Sequence, residues 1–245
     1  MSASLSGLND FPSLRRWLKD YCEKKGYDCW HDYGPADLEK YRSDPVKILL
    51  MNSESVECYD KCIPPDAYLE WIKNGEKTPR YGSVLVTFIR EYISLLWEQK
   101  PIPPFDQSSA SKLFQDVVCL LNNMRGTIYM NASIRTNDTG TSAEDKARVR
   151  SDAVEFAPYR KRLVEILRPG IIICGGESAK NGLFLEGGAF EQSAWKNESL
   201  FEAEDFTIVS TGHLGRPNVF GGYENLHQIA SDCAAAYVQK KLRGV

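Results

Sequence analysis

The run VKILLMN (residues 46–52) indicates the fold class, because it is apolar almost without interruption over the length of one strand. Three further runs have the same character: TIYMNA (127–132), GIIICGG (170–176) and FTIVSTG (206–212). Continuous rather than alternating apolarity is typical of strands that are covered on both faces, as in parallel sheets. The four runs therefore predict the buried parallel strands of one sheet.

Helical patterns lie between these runs. SVLVTFIREYISLLWEQ (83–99) places its apolar residues on one stripe, and residues 142–170 begin at a Ser cap and end in Arg-Pro-Gly. Residues 12–25 and 225–242 predict an N-terminal and a C-terminal helix. This alternation of strands and helices predicts an α/β fold, a three-layer α/β/α sandwich with a central parallel sheet.

The length of 245 residues fits one domain spanning residues 1–245, with residues 1–45 as a helical and loop extension packed on it. The Pro-rich stretch PIPPFDQSS (101–109) is too short to divide the chain. We find no internal repeat and no low-complexity tract. No obligate protein partner is evident from the sequence.

Composition excludes several classes of protein. No apolar run approaches the roughly 20 residues that span a bilayer, so we expect a cytoplasmic protein with no membrane partner. The formal net charge of −3 excludes bulk polyanion binding and leaves room only for local contacts with nucleic acid. The seven cysteines form an odd set without a CxxC pair, which argues against a disulfide framework and a zinc ribbon. We expect no metal, because the cysteines lack a second close pair, and no cofactor, since neither GxGxxG nor a Walker sequence occurs.

The four strand ends carry polar residues where ligands of open α/β sheets bind. The first run ends in Asn52, followed by Ser53-Glu54-Ser55, and the second ends in Asn131. The third ends in Gly-Gly followed by Glu177, and the fourth leads to His213. Two amides, a carboxylate and an imidazole would thus converge on one crevice.

The order of TIYMNASIR, LRPGIIICGGESA and TIVSTGHLGRPNVFGGY resembles the uracil-DNA glycosylase superfamily, over roughly residues 46–230. The likeness is greatest to its single-strand-selective monofunctional branch. The resemblance implies a four-stranded parallel sheet between helices and a monofunctional DNA N-glycosylase with DNA as its partner. Such an enzyme hydrolyses the glycosidic bond of a flipped-out base and leaves an abasic site.

The resemblance also implies residue roles. His213 would donate a hydrogen bond to the pyrimidine O2 as negative charge builds there, and Asn131 would bind the edge of the base. Tyr81 would stack on the flipped base. The glycine-rich loop would enter the DNA and contact phosphates through Leu214, Gly215, Arg216, Asn218, Val219, Phe220, Gly221 and Gly222.

The first loop departs from the family pattern, because MNSESVE (51–57) lacks the usual proline and following aromatic. In one register Asn52 orients the attacking water; in the other Glu54 takes the place of the family's catalytic acidic residue and activates that water, and the choice stays open. Ser53 and Ser55 stand where a bulkier residue would exclude 5-substituted pyrimidines. A roomier pocket follows, and we expect a 5-modified pyrimidine, of the kind phage DNA carries in antiviral defence, or uracil in repair.

Other interpretations stay open at this point. A non-catalytic module on the same fold would grip a modified base in nucleic acid without breaking a bond. A small-molecule N-glycosidase would act on free nucleosides. Taken singly, His213 could be a surface residue, Asn131 a turn cap, Glu54 a helix N-terminal acid and Tyr81 a core residue.

Overall fold

The computed structural model describes residues 5–27, 30, 33–52, 67–75, 80–131, 133–134, 143–176, 200–202, 206–211 and 222–244. Within these residues one sheet comprises β1 (Gly34–Pro35), β2 (Ile48–Asn52), β3 (Ile128–Asn131), β4 (Ile171–Gly175), β5 (Leu200–Glu202) and β6 (Thr207–Thr211). Its strand order is β1-β3-β2-β4-β6-β5. Strands β3, β2, β4 and β6 pair in parallel, whereas β1 and β5 are antiparallel edges.

The α/β class is confirmed, but the expectation of a four-stranded, purely parallel sheet is wrong in its extent. Each of the four apolar runs does contain a strand, and β1 and β5 extend the sheet to six strands of mixed direction. These edge strands have only two and three residues. Such short segments carry no periodic pattern from which a strand could be predicted.

The helices described are α1 (Phe11–Lys25), α2 (Leu38–Ser43), α3 (Ala67–Asn74), α4 (Arg80–Trp97), α5 (Gln107–Gln115), α6 (Val117–Arg125), α7 (Ala143–Glu155), α8 (Ala157–Leu167) and α9 (Gly222–Leu242). In one group, α4 packs against α5, α6 and α9, and α3 packs against α6. In the other group, α8 packs against α1 and α7. Every residue of β2, β3 and β4 is buried, which shows that both faces of the central sheet are covered.

Chain direction places the two groups of helices on different faces. Helices α3 to α6 connect β2 to its neighbour β3, and α7 and α8 connect β3 back across β2 to β4. These two crossovers run in opposite directions along the sheet. Since parallel crossovers are right-handed, their helices lie on opposite faces.

The helical pattern of residues 142–170 forms two helices instead of one. The break lies at Phe156, and Pro158 stands in the first turn of α8. A proline lacks the backbone N–H and its ring clashes with the preceding turn, so it is accommodated at a helix start but not in a helix interior. The break makes α7 and α8 separate elements.

Helix α1 is anchored at both ends and along one face. The Asp10 side chain accepts a hydrogen bond from the Ser13 amide at 2.8 Å, and Gly26 ends the helix in the left-handed conformation at φ 68°. Its buried face includes Phe11, whose ring lies directly against Gly34 in β1. This contact joins the N-terminal segment to the edge of the sheet.

We predict that Gly34→Ala destabilises the protein by about 2–4 kcal/mol. A Cβ at this position would lie 2.0 Å from Cζ of Phe11, and its φ of +150° is one that side chains rarely adopt. Urea unfolding measures the change. Gly7→Ala is the control, since its Cβ would meet no atom within 4 Å and the expected change is within about 0.5 kcal/mol. Equal effects of the two substitutions would contradict this account of the β1 contact.

Among the described residues, no helix combines the length and the apolar character that crossing a membrane requires.

Candidate functional site at the carboxyl edge of the sheet

One row of residues crosses the carboxyl edge of the parallel strands. Asn52 at the end of β2 is the register partner of Asn131 in β3 and of Gly175 in β4. Gly175 is in turn the partner of Thr211 in β6. Neighbouring strands lie about 4.8 Å apart, so the two asparagines are immediate neighbours.

The two asparagines also stand at a topological switch point. The chain leaves β2 towards the helices of one face and leaves β3 towards those of the other. Diverging connections open a crevice between the ends of two adjacent strands, and ligands of open α/β sheets bind in such a crevice. Asn52 and Asn131 are the last residues of these two strands.

Asn52 presents a carboxamide that is only half satisfied. Its Nδ2 donates to the Tyr129 hydroxyl at 3.1 Å, and the residue is 8% exposed. Its Oδ1 is buried without a hydrogen-bond partner in the part of the chain that the structure describes. Such an orphaned buried acceptor costs about 1–3 kcal/mol, so it indicates a place for a ligand or a bound water.

Asn131 lies on the same face as Asn52. Tyr129 and Asn131 are two residues apart in β3, and alternate residues of a strand share a face. Because Tyr129 accepts the hydrogen bond from Asn52, all three side chains share that face. Asn131 is 1% exposed, so its position is set by packing before any ligand arrives. The site therefore offers two pre-positioned amides, each able to donate and accept.

A buried polar network holds the chain just after Asn131. The Tyr33 hydroxyl donates to the Ser133 carbonyl at 3.1 Å, and the Ser133 hydroxyl donates to Oδ2 of Asp152 at 2.7 Å. Arg160 on α8 is fully buried and donates from Nη2 to the Ala153 carbonyl. This network attaches the end of β3 to α7 and α8.

The charges of this network depend on one another. Burial lowers the pKa of the Arg160 guanidinium to about 10, although the nearby Asp152 carboxylate opposes this shift. Both residues have no exposed surface. A buried charge that loses its partner is strongly destabilising, so the pair is a sensitive support of the site.

We predict that Asp152→Ala lowers the free energy of unfolding by about 3–5 kcal/mol, because it removes the carboxylate that stabilises the buried Arg160 charge. Denaturant unfolding provides the measurement. Asp232→Ala removes an exposed carboxylate that accepts a hydrogen bond from Gln228 at 3.0 Å, and should change stability by no more than about 0.5 kcal/mol. A loss at Asp152 as small as that at Asp232 would show that the Arg160 charge does not depend on this partner.

Tyr81 lies in an aromatic cluster in the first turn of α4. Its ring centroid is 4.9 Å from that of Phe114 and 6.1 Å from that of Tyr223, and the residue is half-buried. Helix α4 follows the carboxyl end of β2 and α9 follows that of β6. Packing thus fixes the ring, and its stacking on a base stays a prediction.

The remaining predicted site residues fall into two sets. Gly222 begins α9 at φ +79°, in the left-handed region that favours glycine, and is exposed. The others lie outside the described residues: Ser53, Glu54, Ser55, His213, Leu214, Gly215, Arg216, Asn218, Val219, Phe220 and Gly221.

Four residues of this region were missed at the level of sequence: Tyr33, Tyr129, Asp152 and Arg160. Tyr129 carried a usable signal, since it stands two residues before Asn131 in the same strand. Asp152 and Arg160 carried no such signal, because both occur in an amphipathic helical pattern where charged residues ordinarily face solvent.

We predict that Asn52→Leu leaves the free energy of unfolding within about 1 kcal/mol of the wild type, because it removes an unsatisfied buried acceptor together with one hydrogen bond. Leu50→Ala, in the same strand and fully buried, should lower it by about 2–5 kcal/mol. Thermal and urea unfolding of the two variants give the comparison. An equal loss in both would mean that the Asn52 carboxamide stabilises the free protein.

Comparison with models of known protein families gave no match, and comparison with curated proteins gave none either.

Proposed function

We propose that this chain is a DNA glycosylase that hydrolyses the N-glycosidic bond of a flipped-out modified pyrimidine and leaves an abasic site. One observation carries the proposal: Asn52 and Asn131 end adjacent parallel strands in register, and the buried Oδ1 of Asn52 has no hydrogen-bond partner among the described residues. The parallel core of β3, β2, β4 and β6 is compatible with the glycosylase-like sandwich that the resemblance implies.

Hydrolysis of an N-glycosidic bond requires few protein groups. Cleaving the C–N bond builds positive charge on the sugar and negative charge on the departing base. Water must therefore be oriented below the sugar, and hydrogen-bond donors must meet the base oxygens. Because the base is extruded from the DNA stack, its edge is free to contact these groups.

Asn52 suits the placement of water. Its Oδ1 is a fixed acceptor, since Nδ2 is held by the Tyr129 hydroxyl. A water that donates to this oxygen would be oriented for attack on the sugar carbon. Glu54, two residues further along, is the alternative base that removes the proton from that water.

Asn131 suits recognition of the base. A carboxamide donates and accepts in one plane, which matches the alternating polar edge of a pyrimidine. Its neighbour position to Asn52 would bring the base and the attacking water to one crevice.

His213 would complete the site as a donor to the base O2. It stands two residues after Thr211, the last residue of β6 and a member of the same row as Asn131. Three strand spacings, about 14 Å, separate Asn131 from Thr211. A nucleobase above the central strands β2 and β4 would lie between the two groups.

The proposed substrate is a 5-modified pyrimidine in DNA, as expected in antiviral defence, with uracil in repair as the alternative. Small residues in the first loop, Ser53 and Ser55, would leave space beside C5 of the base. Contacts with DNA would be local, through the glycine-rich loop, because the net charge of −3 gives no general attraction to a polyanion.

A base-binding module without catalysis is the second candidate. The observation that favours it is that the two residues at the strand ends, Asn52 and Asn131, are neutral amides, which bind a base but do not themselves transfer protons. In this case the protein would retain modified DNA without releasing the base.

The test offers the protein single- and double-stranded oligonucleotides with uracil, 5-hydroxymethyluracil, 5-methylcytosine, 5-hydroxymethylcytosine or a larger 5-substituted cytosine. Mass spectrometry detects released base, and alkali treatment reveals abasic sites. We expect release of at least one 5-modified base. Asn131→Ala and His213→Ala should each lower the single-turnover rate about 10²–10³-fold, as the loss of a transition-state donor does.

Asn52→Ala and Glu54→Ala decide which residue activates water, since the larger loss of rate identifies it. Asn74→Ala is the matched control, because Asn74 is an exposed amide at the end of α3 and should leave the rate unchanged. No release from any DNA of the panel would refute the glycosylase. Retention of modified DNA in the same samples would then favour the binding module.

A further inference from the structure

A second cleft lies at the amino edge of the sheet, away from the asparagine pair. It has a volume of about 810 Å³ and is lined by residues that directly precede three parallel strands: Lys47 before β2, Gly170 before β4 and Phe206 before β6. Each of these residues stands five positions before its strand's member of the asparagine row, so about 16 Å of sheet separates the cleft from that row. Two ligands could bind at the two edges independently.

The charges that line the cleft are unequally paired. Its two acids are held by arginines outside the lining: Asp44 by Arg90 at 2.7 Å and Glu165 by Arg162 at 2.7 Å. The three cations of the lining, Lys47, Arg168 and Lys241, have no carboxylate partner among the described residues. The cleft therefore carries positive charge that no carboxylate of the described residues neutralises through an ion pair.

The wall beneath these cations is aromatic. The ammonium group of Lys241 lies 5.8 Å from the ring centroid of Tyr237, and that of Lys47 lies 5.9 Å from the ring centroid of Tyr41. Tyr237 is buried against Gly170, where an added Cβ would lie 2.9 Å from its Cε2. Gly170 thus keeps the ring of Tyr237 close to the sheet, beside the buried Phe206.

Arg168 has a backbone conformation that costs a glycine less free energy than it costs an arginine. It ends α8 in the left-handed conformation, at φ 51° and ψ 60°. For a residue with a side chain this conformation costs roughly 1–2 kcal/mol, and glycine is the common choice at such a helix end. The side chain at this position therefore places an exposed guanidinium on the lining of the cleft at a cost in backbone energy.

Helix ends account for part of the positive charge but not for all of it. Helices α8 and α9 end at the cleft, and their free carbonyl groups favour cations such as Arg168 and Lys241. Lys47 belongs to no helix: it immediately precedes β2, and its carbonyl accepts hydrogen bonds from the amides of Gly170 and Ile171. Its half-buried side chain is therefore unexplained by helix capping.

We propose that the amino-edge cleft is a binding site for a small organic phosphate. Lys47, Arg168 and Lys241 would bind the phosphate, and the apolar part of the molecule would lie against Phe206 and Tyr237. The volume falls in the range of about 300–1,000 Å³ that is usual for small-molecule sites. The proposal is independent of the glycosylase function, because it uses the opposite edge of the sheet.

Calorimetric titration of the whole chain with inorganic phosphate, AMP, ATP, adenosine and an unmodified oligonucleotide tests the site. We expect AMP or ATP to bind, and adenosine to bind at least about tenfold more weakly. Added salt should lower the affinity for the nucleotides. Inorganic phosphate that binds as tightly as the nucleotides would identify a free anion as the ligand and refute the apolar contacts. Binding of the oligonucleotide alone would refute the small-molecule site.

Two variants locate the binding. Lys47→Ala and Arg168→Gly should each weaken nucleotide binding about tenfold or more, because each removes a charge-assisted contact. Arg168→Gly should at the same time leave the melting temperature unchanged or raise it, since glycine suits the backbone there. Lys19→Ala removes an exposed cation of α1 and should not affect binding. Equal effects of Lys19→Ala and Lys47→Ala, or no binding by any nucleotide, would overturn the proposal.

Discussion

The register of β2 between β3 and β4 is the constraint on which the site depends. Parallel pairing aligns Asn52 with Asn131 on one side and with Gly175 on the other. Leu49, Leu50 and Met51 are fully buried, and their packing fixes that register. Because side chains alternate along a strand, a slip of one residue would turn the Asn52 side chain to the opposite face and leave Met51 at the edge.

The polar groups at this edge are held at some expense of stability. Within the described part of the chain, the buried Oδ1 of Asn52 has no hydrogen-bond partner, and the Arg160 guanidinium lies where water does not reach it. Natural proteins retain such groups where function requires them, and the packed sheet beneath supplies the compensating stability. The hydrogen bond from the Ser133 hydroxyl to Asp152 attaches the chain after β3 to α7 and so fixes the position of the strand end.

Much of the fold could be predicted from local patterns. The four apolar runs contain β2, β3, β4 and β6, because strands buried on both faces need apolar side chains throughout. The edge strands β1 and β5 could not be predicted, because segments of two or three residues become strands only by pairing with the assembled sheet. The helix break at Phe156 could have been predicted, because Pro158 is present in the sequence and a proline does not fit a helix interior.

The site could be predicted less completely. Its two amides follow from the rule that ligands bind at strand ends, but their adjacency depends on strand order, which no local pattern encodes. The contact between Asn52 and Tyr129 joins residues 77 positions apart, and that between Ser133 and Asp152 joins a loop to a helix. Such contacts arise from tertiary packing, so the support of the site became visible only in the structure.

The side-chain amide signals of Asn52 and Asn131 in the ¹⁵N NMR spectrum test the central claim most directly. Uracil and its 5-substituted forms are added as free bases, and the signals are assigned by their loss in Asn52→Leu and Asn131→Leu. If both amides line one base pocket, both signals shift with the same base and saturate at the same concentration. A base that shifts only one of them, or no shift with any base, would contradict the shared site.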